Sequence, residues 1–217
     1  AYVDLDGHFA AVRLSTMVLV HRAGTPAPTS FKSLGEPQWR DEVAVGDPTT
    51  SGTAFTWAVS MERALGAEWF ASLRANGARI AGGNAAVLQK VEGGEAKVGV
   101  LLLENALAAK GHGSPIEIAW PQDGAVVIPG YAGVLASSQN PRAAQRLIDA
   151  LLSTEGQRVI AEKGDMHAVD PRVAAPRGTR SLDELVKSAA PWDEALLQRG
   201  VHEGARVKAD FAGAFAR

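Results

Sequence analysis

The sequence predicts an α/β fold in which short buried strands alternate with amphipathic helices. The chain has 217 residues, of which 46% are hydrophobic and 21% are charged, as in a globular protein with a sizeable core. Apolar runs rich in β-branched residues alternate with stretches of helical periodicity. Turns containing Gly, Pro or Asn separate the two kinds of segment. Because this alternation favours crossover helices between strands, we expect largely parallel strands.

The predicted strands are the apolar runs. The longest run, AAVRLSTMVLVHR at 10–22, is continuous and rich in β-branched residues, which favours a long buried strand. The run KVGVLLL at 97–103 predicts a second buried strand. Shorter strands are predicted at 43–45, 116–120 and 125–128.

Capping residues mark several of the predicted helices. Thr50 or Ser51 can cap a helix that ends at Gly66. Asn84 opens another helix. Asn140-Pro141 is the clearest start signal, because Asn is favoured at the N-cap and Pro at the first helical position. The remaining predicted helices cover 67–75, 104–110, 155–164, 182–189 and 192–215.

Composition and charge exclude several classes of protein. The net charge is −2, from 22 basic and 24 acidic residues dispersed along the chain, so no nucleic-acid partner is expected. No apolar run reaches the length of a membrane-spanning helix. There are no cysteines, which excludes disulfides, thiolate metal sites and cysteine nucleophiles.

No catalytic residue, metal site or cofactor is predicted. The sequence contains no Walker A, Gly-x-Ser-x-Gly or His-Glu-x-x-His motif, and no convincing pair of nucleophile and base. Its histidines lack the close spacing of metal ligands. We therefore expect a binding protein and not an enzyme. The histidines are His8, His21, His112, His167 and His202.

Several short motifs follow one another along the chain. They are Phe31-Lys32-Ser33-Leu34, Pro37-Gln38-Trp39-Arg40-Asp41-Glu42, Val45-Gly46-Asp47-Pro48-Thr49-Thr50-Ser51-Gly52-Thr53, Val91-Glu92-Gly93-Gly94-Glu95, Trp120-Pro121-Gln122-Asp123-Gly124, Asn140-Pro141-Arg142-Ala143-Ala144 and Leu151-Leu152-Ser153-Thr154-Glu155-Gly156-Gln157. Each motif alone is weak, but the ordered set covers most of the chain. In this order the chain resembles the type II periplasmic binding proteins, in the branch that holds the ferric-iron, phosphonate and sugar-phosphate binders.

The resemblance implies two lobes with mixed, mostly parallel sheets. It places a remnant of lobe 1 and the first hinge strand at 1–19, and a contiguous lobe 2 at 20–116. The return hinge strand, the remainder of lobe 1 and the C-terminal helices fall at 117–217. Family members usually begin with a further strand-and-helix unit, so we expect lobe 1 to be incomplete here. An incomplete lobe would expose apolar sheet surface, which leads us to expect a homodimer or strand exchange.

The turn Thr49-Thr50-Ser51-Gly52-Thr53 is the strongest candidate for a binding site. It opens a predicted helix, where unpaired backbone N–H groups and the positive end of the helix dipole attract anions. Hydroxyl groups of Thr50, Ser51 and Thr53 add donors, and Gly52 allows a ligand to approach the backbone. An ordinary helix cap without a ligand explains the same residues. In the family that the chain resembles, the equivalent turn contacts the anion.

Two further positions are candidates for ligand binding. Asn84 follows two glycines and opens a helix, although a plain glycine turn with an Asn cap is the alternative. Glu104 and Asn105 lie at the carboxyl end of a predicted strand, where open α/β sheets bind ligands. The alternative for Glu104 is an acid favoured by the helix dipole.

The tyrosines argue against one ligand. Iron-binding members of the family carry two adjacent tyrosines near the position of Glu104, whereas this chain has only Tyr2 and Tyr131. Ferric binding through tyrosinate is therefore not expected.

The sequence thus predicts the extracytoplasmic solute-binding component of an ABC importer. Its solute would be small and anionic, bearing a phosphate, phosphonate or carboxylate group, and would be held between two lobes and delivered to a membrane permease. The protein would be periplasmic or extracellular, with any signal peptide outside this chain. The alternatives are a ligand-sensing module of the same fold that signals to a partner, and a ferric-iron binder with non-tyrosine ligands.

Overall fold

Residues 7–191 and 193–216 are described by a computed structural model, in which the chain divides into two units. The first unit contains 7–16 and Val127–Lys187. The second contains Met17–Val126 and the described residues of 188–216. The chain enters the second unit inside a single strand, β1 (Phe9–Arg22), between Thr16 and Met17.

The second unit is built on a mixed β-sheet. Four strands join β1 in the order β3-β2-β4-β1-β5. β2 runs parallel to β3 and β4, whereas β1 runs antiparallel to β4 and β5. The parallel pairing brings the carboxyl ends of β2, β3 and β4 to the same edge of the sheet. The strands are β2 (Val43–Gly46), β3 (Arg79–Ala81), β4 (Val98–Leu102) and β5 (Ile116–Ala119).

Each of the three parallel strands is followed by a helix. α1 (Gly52–Leu65) follows β2, and α2 (Glu68–Ala75) continues the chain towards β3. α3 (Asn84–Glu92) follows β3, and α4 (Leu103–Gly111) follows β4 without an intervening loop. The helices α1, α3 and α4 therefore begin at the edge of the sheet where the parallel strands end.

Two glycines allow α1 and α3 to lie directly against the sheet. A Cβ atom added to Gly46 of β2 would lie 2.9 Å from the Cβ of Ala54 in α1. A Cβ atom added to Gly99 of β4 would lie 2.7 Å from Cγ1 of Val87 in α3. Since real Cβ contacts are essentially never this short, larger residues at either position would push a helix away from the sheet.

The core of the second unit is apolar and largely closed to solvent. Val20, Val87 and Leu101 are completely buried in one cluster. In its aromatic part, Trp57 packs edge-on against Phe31 and Trp69, with ring centroids 6.0 and 5.9 Å apart. This core supports the edge at which the three helices begin.

In its described residues, the first unit combines the start of β1 with one further strand and three helices. β6 (Val126–Gly133) pairs with β1, and Leu14 of β1 exchanges two backbone hydrogen bonds with His167. The helices are α5 (Pro141–Leu152), α6 (Thr154–Gly164) and α7 (Leu182–Ser188).

A single buried side chain, Gln157 of α6, links several segments of the first unit. Its Nε2 donates to the carbonyl oxygens of Val12 and Leu151, both at 2.8 Å. Its Oε1 accepts from the backbone N–H groups of Val169 and Asp170, at 2.7 and 3.3 Å. The amide is fully buried and its donor and acceptor atoms are both used. Gln157, which belongs to a motif that carries part of the family resemblance, therefore has a structural role here.

The C-terminal helices α8 (Glu194–His202) and α9 (Gly204–Phe215) pack in the second unit. Phe211 of α9 lies edge-on to Phe70 at 5.2 Å. Arg63 of α1 forms a bidentate ion pair with Asp193, which also caps α8. The hydrogen bonds from Arg63 are the main reason that the pKa of Asp193 is lowered to about 2. We expected these helices in lobe 1; the aromatic and ionic contacts place them with α1 and α2 instead.

Most predicted elements are present within a few residues of their expected ends, and the predicted α/β fold is confirmed. The strand predicted at 10–22 is β1, and the helix after the 47–53 turn is capped by Ser51 and ends before Gly66 as expected. The strand β3 was missed, because three residues are too few to create a periodic pattern. The predicted element at 125–128 is longer and continues to Gly133. In the described ranges, no helix is long and apolar enough to cross a membrane.

Candidate functional site

The predicted binding residues of the second unit meet at one edge of its sheet. This edge comprises 47–53, 82–84 and 102–105, and we call it the three-helix edge because α1, α3 and α4 all begin there. The first turn of a helix leaves backbone N–H groups without intrahelical partners, and the helix dipole makes that end partly positive. Three such ends in one place form an environment that favours negative charge.

The turn before α1 is held by hydrogen bonds of its own. Oδ1 of Asp47 accepts from the backbone N–H and the hydroxyl of Thr49, at 2.8 and 2.6 Å. The backbone N–H of Asp47 donates to the carbonyl of Ala81 at the end of β3. The Asp47 carboxylate is thus engaged within the turn, and the turn is tied to the neighbouring strand.

The residues after Asp47 leave open space at the start of α1. The side chain of Ser51 accepts from the backbone N–H of Ala54, which makes Ser51 the N-cap. Thr50 and Gly52 are exposed, and a Cβ atom added to Gly52 would meet nothing within 4 Å. The hydroxyl of Thr50 donates to the carbonyl of Gly82 at 3.3 Å. The backbone of the first helical turn is therefore accessible to a small solute.

Asn84 connects all three parts of the edge. Its Nδ2 donates to Oγ1 of Thr53 in α1 at 3.1 Å, and its Oδ1 accepts from the backbone N–H of Leu102, just before α4, at 3.2 Å. Thr53 in turn lies 3.3 Å from the hydroxyl of Ser51. The structure thus joins Asn84, which was predicted as a separate candidate, to Ser51 and Thr53 of the predicted turn in one hydrogen-bonded network.

The last two predicted residues, Glu104 and Asn105, lie in the first turn of α4 and are partly buried. They follow Leu102 directly, so they belong to the same edge as the turn of α1. Gly82 lay in a candidate turn, but sequence reasoning missed the role of its carbonyl, and it missed the N–H group of Leu102 as well. Their position at the end of a strand and in a glycine turn was the only available signal, because backbone groups carry no residue-specific pattern.

Because the chain has no cysteines, its acidic and histidine side chains are the ones that could bind a metal ion. Within 7–191 and 193–216, no cluster of three or more His, Asp or Glu residues is arranged to hold a metal. The polar groups at the three-helix edge are hydroxyls, the amides of Asn84 and Asn105, backbone N–H groups and the carboxylates of Asp47 and Glu104.

Comparison with known proteins identifies the family. Residues 5–164 match the family described as bacterial extracellular solute-binding protein, which is most of the chain. The chain belongs to this family. A Haemophilus influenzae protein described as uncharacterized is 26% identical over 190 residues, which cover 81% of this chain and 55% of that protein. The chain therefore spans about half the length of the curated relative that it matches.

Solved structures of similar fold are also solute-binding proteins. Iron-bound HitA from Pseudomonas aeruginosa has a TM-score of 0.80 and 22% identity, covering 97% of this chain and 71% of HitA. The substrate binding protein of an ABC transporter from Agrobacterium tumefaciens has a TM-score of 0.81 and 20% identity, covering 99% and 68%. AfuA from Actinobacillus pleuropneumoniae, with fructose-6-phosphate bound, has a TM-score of 0.80 and 21% identity, covering 100% and 70%.

These likenesses establish the fold and not the ligand. The chain has the α/β fold of type II periplasmic solute-binding proteins, as its motifs predicted. The named neighbours bind different solutes, one iron and one a sugar phosphate. These matches give no support to the homodimer or strand exchange that we expected.

Proposed function

We propose that this chain acts as the solute-binding component of an ABC importer and holds a small anionic solute at the three-helix edge. Membership of the extracellular solute-binding family supports the first part. The convergence of three helix N-termini around accessible hydroxyl groups supports the second.

The choice of an anion follows from the groups at the edge. Backbone N–H groups at the start of α1, α3 and α4 can only donate hydrogen bonds. The hydroxyl groups of Ser51 and Thr53 add donors beside them. The nearby carboxylate of Asp47 already accepts two hydrogen bonds from Thr49, so it does not oppose a bound anion as strongly as a free carboxylate would. A phosphate, phosphonate or carboxylate group has the charge and the acceptor oxygens that such donors need.

The partner and compartment follow from the proposed role. A solute-binding component captures its ligand outside the cytoplasm and passes it to a membrane permease, so we place this protein in the periplasm or on the outer side of the cell. The reaction involves reversible binding only, and no residue of the edge is required to be a nucleophile or a general base. A sensing module of the same fold would bind the same solute but signal to another protein.

The proposal can be tested by isothermal titration calorimetry with inorganic phosphate, fructose 6-phosphate and a ferric salt. We expect binding of at least one phosphate-bearing probe. Replacing Thr53 by Val should weaken that binding about tenfold or more, because a hydrogen bond to a charged group contributes about 1.5–3 kcal/mol.

Thr56→Val is the matched control for this substitution. Thr56 follows Thr53 by one turn of α1. Its hydroxyl donates to the carbonyl of Gly52 at 3.0 Å and does not take part in the network of Ser51, Thr53 and Asn84. Its replacement should leave the affinity nearly unchanged. Folded wild-type protein that binds none of the phosphate-bearing probes would refute the anionic assignment, and binding of the ferric salt alone would favour a metal ligand set.

A further inference from the structure

The orientation of the Asn84 amide is determined by its neighbours. The backbone N–H of Leu102 can only donate, so the atom that faces it must be the amide oxygen, Oδ1, at 3.2 Å. The other end of the amide, Nδ2, then faces Thr53 and donates to its Oγ1 at 3.1 Å. The hydroxyl oxygen of Thr53 is consequently an acceptor in this contact.

The direction of this contact determines where the hydroxyl protons point. Because Asn84 donates to Thr53, the single proton of the Thr53 hydroxyl must be donated elsewhere. It can go to the hydroxyl of Ser51, which lies 3.3 Å away, or leave the network. Ser51 already accepts from the backbone N–H of Ala54, so its own proton is the one that leaves if Thr53 donates to it. In both arrangements one hydroxyl proton points away from the network.

We propose that Asn84 is a positioning residue that turns one hydroxyl proton of the Ser51–Thr53 pair towards the ligand. Its amide oxygen accepts from the Leu102 N–H, and its amide nitrogen therefore donates to the Thr53 hydroxyl. The outward proton then belongs to Thr53 or to Ser51. The ligand group that contacts this hydroxyl must then be an acceptor, as an oxyanion oxygen is and an ammonium group is not. This inference rests on the proposed function. It also reassigns Asn84, predicted as a ligand contact, to a role in orienting Thr53.

The test is a double-mutant cycle between Asn84 and Thr53, with inorganic phosphate as the titrant. Asn84→Asp is nearly isosteric, and the new carboxylate accepts both from the Leu102 N–H and from the Thr53 hydroxyl. The hydrogen bond between residue 84 and Thr53 is thereby reversed. We expect this substitution to weaken phosphate binding about tenfold more in the wild-type background than in the Thr53→Val background, where there is no hydroxyl to reorient.

The cycle separates orientation from simple charge repulsion. A negative charge that only repels phosphate would weaken binding by the same factor in both backgrounds, and that result would overturn the inference. Gln89→Glu adds the same charge to an exposed position of α3 and is expected to change the affinity by less than about threefold. Thermal unfolding of each variant checks that the folded state is retained.

The outcomes also distinguish this inference from the proposed function. If wild-type protein binds phosphate and Asn84→Asp weakens binding equally in both backgrounds, the proposed function is supported and the positioning role of Asn84 is refuted. If wild-type protein binds no phosphate-bearing probe, the binding of an anion and the positioning role of Asn84 are both refuted. A loss that depends on the Thr53 hydroxyl supports both.

Discussion

The two units of the chain bury their helices to different extents. In the second unit, α1 buries Trp57 and Met61 together with the small residues around them. In the first unit, α5 has no buried residue, although it is the more strongly amphipathic helix. Leu147 of α5 is 62% exposed, and Leu135, before this helix, is 74% exposed. An apolar helical face therefore identifies a surface suited to burial, but the sequence pattern does not show whether that surface is covered.

The first unit relies more on polar connections. Gln157 joins α6 to β1 and to the segment at 169–170 through four hydrogen bonds, two of them to carbonyl oxygens and two from N–H groups. The second unit places its three-helix edge on an apolar core with aromatic contacts. The candidate site therefore lies on the unit whose interior is apolar and aromatic.

The largest expected effect is the loss of Trp57. Trp57→Ala should destabilise the second unit by about 3–5 kcal/mol, because it leaves a large cavity beside Phe31 and Trp69. Leu147→Ala removes an exposed side chain and should cost no more than about 0.5 kcal/mol. Urea unfolding measures both values. A cost of several kcal/mol for Leu147→Ala would contradict the difference between the two units, since it would mean that the face of α5 is covered in solution.

A smaller effect is expected from Gln157→Met, which keeps the length of the side chain but removes its hydrogen bonds. The buried N–H groups of Val169 and Asp170 would lose their acceptor, for a destabilisation of about 2–4 kcal/mol. Hydrogen exchange should show reduced protection of the first unit and little change in the second. Gln145→Met, at an exposed position of α5, is the control and should leave protection unchanged. Equal loss of protection in both units would contradict the separate roles of the two interiors.

The smallest expected effect is a dependence of the first unit on pH. Burial lowers the pKa of His167 below its ordinary value of 6.5, and the backbone carbonyl of Arg180, which accepts from Nε2 at 2.8 Å, only partly opposes this. Below pH 6.5 the unfolded chain therefore binds this proton more readily than the folded chain. The corresponding stability is present above pH 6.5 and is lost as the pH falls through the folded-state pKa.

Thermal unfolding at pH 7.5 and pH 5 checks this dependence. The melting temperature of the wild-type protein should fall more between these values than that of His167→Gln, which can still donate to Arg180 but does not titrate. An equal fall in both proteins would assign the pH dependence to other groups.

Much of the candidate site could be predicted because its signals are local. Ser51 is a favoured N-cap residue after a turn that contains Asp47 and Pro48, and the structure places it at that position. Asn84 was identified at the start of α3 from the two glycines before it. The partner atoms of Asn84 could not be predicted, because Thr53 and Leu102 lie 31 and 18 residues away and only strand pairing brings them together.

Periodicity, capping and short motifs are local properties of the chain, and they were sufficient to predict the α/β class, the order of most elements and the resemblance to solute-binding proteins. Three further features became known from the three-dimensional structure: α8 and α9 pack with α1 and α2, the amide of Asn84 is used between Thr53 and Leu102, and the apolar face of α5 has no buried residue. Each of these depends on contacts, or on missing contacts, between segments distant in sequence. Such contacts are determined by the packing of the whole fold and leave no periodic trace in any one segment.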